Sequence, residues 1–172
     1  VVVTSPITMN FPTTHPMWGG VSPNPYLEEA DAVLVVDCDV PYVPAVARPS
    51  PDAKIFWIDI DPVKNSIPLF TFPADIRLHA DSAKALPALT KRIDAWATPE
   101  DRRRIKERVG FLQSRHQAQR KSREQEALDK AKQTPIAPEW LAYCINQALE
   151  HETVVLEETS SNGPLGSSML ER

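Results

Sequence analysis

The sequence is poor in the residues from which small-molecule and metal sites are most often recognised. It has five glycines, two cysteines and four histidines among 172 residues. No Gly-x-Gly-x-x-Gly occurs, so the turn that cradles a dinucleotide phosphate is absent. Cys38 and Cys144 stand far apart and the histidines are scattered, which excludes a zinc site of the ordinary spacing. The cysteines read as two buried thiols, one on a strand and one on a helix, in a reducing, intracellular setting. No apolar run approaches the ~18 residues that a membrane-spanning helix needs. The opening Val1-Val-Val-Thr-Ser-Pro6 has no basic region, no long apolar stretch and no initiator Met. It reads as an excised or processed start, not a signal peptide.

What is present is unevenly spread. The net charge is -4, yet residues 91–132 hold 13 basic against 7 acidic side chains, while 1–90 and 133–172 are both acidic. Thirteen of the 17 prolines fall before residue 91. These shifts divide the chain into three: 1–96, a charged stretch 97–133, and 134–172. The basic run Arg102-Arg103-Arg104 could touch phosphate backbones. Its interleaved acids and lack of aromatics make a solvated helix face the better reading, with no nucleic-acid partner.

The first segment alternates strand and helix signals. Val1–Thr4, Ala32–Asp37, Ile55–Ile60 and Ile76–Ala80 are candidate strands. The run Ala32-Val-Leu-Val-Val is continuously apolar, as in a strand buried on both faces. Asn24-Pro25 predicts a short helix capped by Asn24. Asp81 predicts the cap of a helix reaching Trp96, with Pro87 kinking it or delaying its start. The fold class that follows is α/β, a Rossmann-like parallel sheet. In the second segment Thr98-Pro-Glu-Asp predicts a long helix with only a partial apolar stripe, Ile105, Val109 and Leu112. The third opens with a helix from Pro138 and a strand Thr153–Glu157, the beginning of an incomplete second α/β unit.

Several stretches together carry a family resemblance. They are "YLEEADAVLVVDCDVPYVP" at 26–44, "AKIFWIDIDPVKNSIPLFTFPADIRLHADSAKALPAL" at 53–89, "TPIAPEWLAYCINQAL" at 134–149 and "TVVLEETSSN" at 153–162. With "MNFPTTHPMWGG" at 9–20, this text resembles the thiamine-diphosphate-dependent enzymes related to acetolactate synthase. The resemblance implies the later part of that family's central domain, a linker, and the start of its diphosphate-binding domain. It implies thiamine diphosphate and Mg2+ in the whole enzyme, acting on 2-keto acids by carboligation or decarboxylation. It also implies that this stretch is inactive by itself. The glutamate-bearing first domain and the Gly-Asp-Gly motif of the third are not in the 172 residues. The remaining domains of the same polypeptide and a second copy are the expected partners, and no membrane is expected.

The candidate site residues follow from strand ends. Asp59 and Asp61 lie just past an apolar strand, where open α/β sheets bind ligands, and one of them could accept from a ribose. The plainer reading is that Asp61-Pro62 caps the following turn. Asp37 and Asp39, around Cys38, stand where the family usually has small residues. Their bulk and charge disfavour FAD, which some central domains of the family bind. Glu157, Glu158, Thr159, Ser160, Ser161 and Asn162 match the loop beside the family's diphosphate, where hydroxyls could donate to phosphate. A polar turn is the plainer reading there. His15 and Trp18, in a proline-rich loop, read as packing residues. No residue is assigned a catalytic or metal-binding role. Two other functions stay open: a non-catalytic binding or oligomerisation module, and a nucleotide-binding domain for FAD, ADP or NAD.

Overall fold

The computed structural model describes residues 1–4, 10–68, 72–150, 152–156, 158 and 169–170. It is an α/β structure with a three-stranded, fully parallel sheet. The strands are β1 (Ala32–Val36), β2 (Lys54–Asp59) and β3 (Ile76–His79), in the order β1-β2-β3. The helices among the described residues are α1 (Asn24–Leu27), α2 (Ser82–Trp96), α3 (Pro99–Asp129) and α4 (Pro138–Ala148). Two compact units are formed, Ser22–Arg103 and Val1–Val21 with Arg104–Arg172.

The sheet belongs to the unit Ser22–Arg103. Val33 pairs with Ile55, Val35 with Trp57, and Trp57 with Arg77, so these side chains share one face. Trp57 is the most deeply buried large side chain, at 1% exposure. Phe72 of the second crossover lies 6.2 Å from the Trp57 ring and meets Tyr42 of the first edge-on at 5.1 Å. The Arg77 guanidinium sits 5.1 Å over the indole and donates to the carbonyls of Pro62 and Phe72. One side chain thus fastens the second crossover across the core by hydrogen bonds and a cation–π contact.

Both crossovers are loops among the described residues. Prolines 41, 44, 49 and 51 occupy the first and prolines 62, 68 and 73 the second, and each removes a helical donor. The opposite sheet face holds Leu34, Phe56, Ile58, Ile76 and Leu78. Leu34, Ile76 and Leu78 are exposed there. A parallel sheet normally has helices on both faces; here Ile58 is buried while Leu34, Ile76 and Leu78 of the same face stay exposed.

The helix termini follow local rules. Asp81 Oδ1 accepts from Ala83 N at 2.9 Å and caps α2. Thr98 and Asp101 form a reciprocal capping box. Thr98 Oγ1 accepts from Asp101 N at 3.1 Å, and the Asp101 carboxylate accepts from Thr98 N at 3.0 Å. α3 is 31 residues long and buries only His116 and Ala127, as its polar pattern predicts. Pro87 lies inside α2, which starts at Ser82 regardless. As the sixth helical residue it lies past the four N–H groups that have no partner in the helix, so it removes the bond its N–H would make to the Ala83 carbonyl.

Four expectations need correction. Val1–Thr4 is no strand. Val3 N donates to Gly20 O, and Gly19 N to Val1 O, a local pairing with a loop rather than a sheet ladder. Asn24 is the first helical residue of α1, not its cap; Pro23 occupies the cap position without a side-chain bond. Residues 153–156 form no strand, having no described neighbour to pair with. Cys38 is half-buried and Cys144 exposed, because Cys144 lies beside the covered stripe of α4 that buries Ala142. No described helix is long and apolar enough to cross a membrane.

Candidate functional site at the carboxyl edge of the sheet

Each strand of the sheet delivers an acid at or just beyond its carboxyl end. After β1 comes Asp37, whose N–H donates to Ile58 O at 3.0 Å and whose φ is +46°. That left-handed geometry is costly for a side chain with a Cβ, and aspartate is one of the few residues that tolerate it. β2 ends on Asp59, 2% exposed. Its backbone carbonyl accepts from Ala80 N at 3.0 Å, tying β2 to the end of β3. After β3 comes Asp81, already engaged in capping α2.

The centre of this edge is a lysine. Lys64 Nζ lies 2.7 Å from Asp59 Oδ2 and 2.8 Å from Asp39 Oδ1. The Lys64 side chain is 11% exposed and that of Asp59 3%, while Asp39 is well solvated. Lys64 itself sits at φ +54°, so the chain adopts an unfavourable backbone to bring the ammonium inward. Asp59 Oδ1 accepts from Asp61 N at 2.8 Å, and Asp61 Oδ1 accepts from Lys64 N at 3.1 Å. These are side-chain-to-backbone turns of the kind aspartate favours. They shape the segment 59–64 so that the lysine returns to Asp59.

The charges respond accordingly. Burial pushes the Asp59 carboxyl up, but Lys64, the Asp61 N–H and the Trp57 indole together hold it below the usual carboxylate range. Burial alone would lower Lys64; Asp39 and Asp59 outweigh it and raise it above an ordinary lysine.

A hollow of about 330 Å³ opens here, lined by Asp37, Asp59, Ile60, Lys64, Asp81 and Ser82. Three carboxylates face one ammonium that is already bridged, so the lining repels a diphosphate. No group of three or more His, Cys, Asp or Glu among the described residues could hold a metal ion. The order β1-β2-β3 also has no reversal, and therefore no switch-point crevice within the described sheet. At the amino edge a larger hollow of about 550 Å³ is lined by Tyr42, Arg48, Lys54 and Asp75 with several prolines. There Lys54 and Asp75 neutralise each other at 3.3 Å, and Asp75 Oδ2 accepts from Ile55 N at 2.8 Å.

The structure therefore brings Asp59 and Asp61 together, with Asp39 joined to them through Lys64. Asp61 is spent on the backbone and Asp59 on the lysine. Of the other sequence candidates, Glu158 is exposed, while Glu157, Thr159, Ser160, Ser161 and Asn162 lie outside the described residues. In the other unit, His15 Nδ1 accepts from Met17 N at 3.0 Å and its ring meets Phe11 edge-on at 4.9 Å. Trp18 is buried. Sequence reasoning missed two residues. Lys64 is one of only five basic residues before position 91 and stands three after Asp61, a signal that was available. His116 is buried with Nε2 3.1 Å from Thr13 O, a pairing across 103 residues that no local pattern announces.

Comparison with protein-family models, with curated proteins and with solved structures found no match.

Proposed function

We propose that this chain is a scaffold portion of a thiamine-diphosphate-dependent enzyme acting on 2-keto acids. It would supply part of the central domain, a helical connector and the approach to the diphosphate-binding domain. The observation that carries the reading is the order of elements along the resembling text. Parallel strands hold "AVLVV" and "KIFWID", a helix holds "SAKAL", a long charged helix follows, and a Pro138-opened helix holds "PEWLAYCINQA".

The described residues do not themselves fit thiamine diphosphate and Mg2+. The carboxyl edge is acidic, its lysine is bridged twice, and no metal-holding cluster is present among the described residues. The same acids argue against FAD or ADP at the sheet. The role proposed is therefore mechanical: Lys64 and the turns around Asp59 and Asp61 fix the shape of the carboxyl edge, and chemistry occurs elsewhere in the polypeptide. The alternative, a self-standing association module, draws support from the uncovered apolar side chains of the sheet and α2.

The test is the coding sequence to either side of this stretch. The proposal requires, downstream, a Gly-Asp-Gly followed by an Asn-Asn, and upstream a domain bearing the cofactor-activating glutamate. A stop codon directly after Arg172 sinks it.

A further inference from the structure

α2 is anomalous. It is 15 residues long and none of its residues is buried. An isolated helix of that length is marginal in water and normally owes its stability to packing. Its large apolar residues are Leu86, Leu89, Ile93 and Trp96, exposed by 38%, 37%, 50% and 74%. Their spacing is three, four, three, the a/d repeat of a coiled-coil seam and not the broader stripe of a helix lying on a sheet.

The seam is also symmetric about Lys91. Reversing the helix places Leu86 on Trp96 and Leu89 on Ile93, so the pattern is complementary to itself in the antiparallel sense. Self-complementarity of one patch is what a two-fold interface demands: residue i meets j, and j meets i. The flanking positions Ala85, Thr90 and Ala97 are small and uncharged. The remaining one, Arg92, folds its guanidinium over its own Trp96 ring at 5.7 Å.

We propose that α2 pairs antiparallel with α2 of a second copy of this chain, Leu86 against Trp96 and Leu89 against Ile93. The exposed parts of these four side chains come to roughly 450 Å² per copy, so a symmetric pair covers on the order of 900 Å², the size of weak, reversible associations rather than obligate dimers. The pairing stands on α2 alone and does not depend on the thiamine reading.

The experiment uses the whole chain. Sedimentation equilibrium over roughly a hundredfold range of concentration should show the average mass rising from one copy toward two, as mass action requires. Ile93→Glu should hold the mass at one copy with unchanged circular dichroism, since Ile93 is exposed and supports no core. Orientation is read by oxidative cross-linking in a Cys38→Ser, Cys144→Ser background, since Cys38 is a free, only half-buried thiol. Leu86→Cys and Trp96→Cys chains should cross-link when mixed and not when oxidised separately. This second measurement decides the matter if Ile93→Glu proves unfolded. A single-copy mass at every concentration overturns the proposal and leaves α2 to another segment or partner. Self-cross-linking of Leu86→Cys alone overturns it too, as does association that Ile93→Glu leaves intact.

Discussion

Replacing Lys64 with methionine tests the carboxyl edge most sharply. The substitution keeps length and apolar bulk but strands Asp59, which is 2% exposed, without its counter-ion. Removing one partner of a buried ion pair costs about 3–5 kcal/mol, because the remaining charge is left desolvated. The Asp61 N–H still bonds Asp59 Oδ1, so the lower end, about 3 kcal/mol, is expected. Asp39 makes the contrast. It lies 2.8 Å from the same ammonium but its side chain is 62% exposed, and Asp39→Asn should cost under ~1 kcal/mol. Urea unfolding followed by circular dichroism and tryptophan fluorescence measures both. Adding Asp59→Asn to Lys64→Met should recover part of the loss, a coupling of about 1–3 kcal/mol between residues in contact. If Lys64→Met stays within ~0.5 kcal/mol of the parent, or Asp39→Asn costs as much as it does, the edge is not held by a buried Lys64–Asp59 pair. A fully additive double variant would refute that pairing as well.

Asp59 also sets an acid limb. Its folded carboxyl lies below the usual range, so its contribution is complete above the unfolded value of about 3.9 and is lost as pH falls through the depressed folded value; a pH series of unfolding midpoints should show this limb flattened in Asp59→Asn. Lys64 is raised, so its contribution is complete below the unfolded value near ~10.4 and fades as pH climbs through the folded one, a limb that Lys64→Met should lack. Asp37→Gly should stabilise by up to ~1 kcal/mol, since glycine adopts φ +46° without the Cβ penalty; a lower unfolding midpoint would contradict that. Trp57→Ala should cost about 3–5 kcal/mol through the cavity left under Phe72 and Arg77. An unchanged melting curve would show that Trp57 is not the core.

The strands and helix starts of the unit Ser22–Arg103 were legible because each rests on a local signal. Ala32–Val36 is a continuous apolar run, Asp81 a cap, Thr98 to Asp101 a capping box, and all three form where the sequence predicts, although β1 is not buried on both faces as that run implied: Leu34 is 45% exposed. Val1–Thr4 and residues 153–156 show the limit of such signals. A β-branched run becomes a strand only when a partner offers a ladder, and partners are not written locally. The site was half legible. Asp59 and Asp61 do lie at a strand end, but their use depends on Lys64, whose return is set by turn geometry and a positive φ. Leu86, Leu89, Ile93 and Trp96 lie outside such local signals: the helix that carries them was legible, but its large apolar residues stay more than a third exposed in the described structure.

The central claim is the proposal that this chain is part of a thiamine-diphosphate-dependent enzyme. Calorimetric titration of thiamine diphosphate with Mg2+ into the polypeptide translated from the intact transcript, with release of CO2 from a 2-keto acid measured alongside, tests it directly. The account predicts saturable binding and cofactor-dependent CO2 release by that polypeptide, and neither from residues 1–172 alone. Binding and turnover absent from the intact polypeptide, or present in residues 1–172 alone, would contradict it.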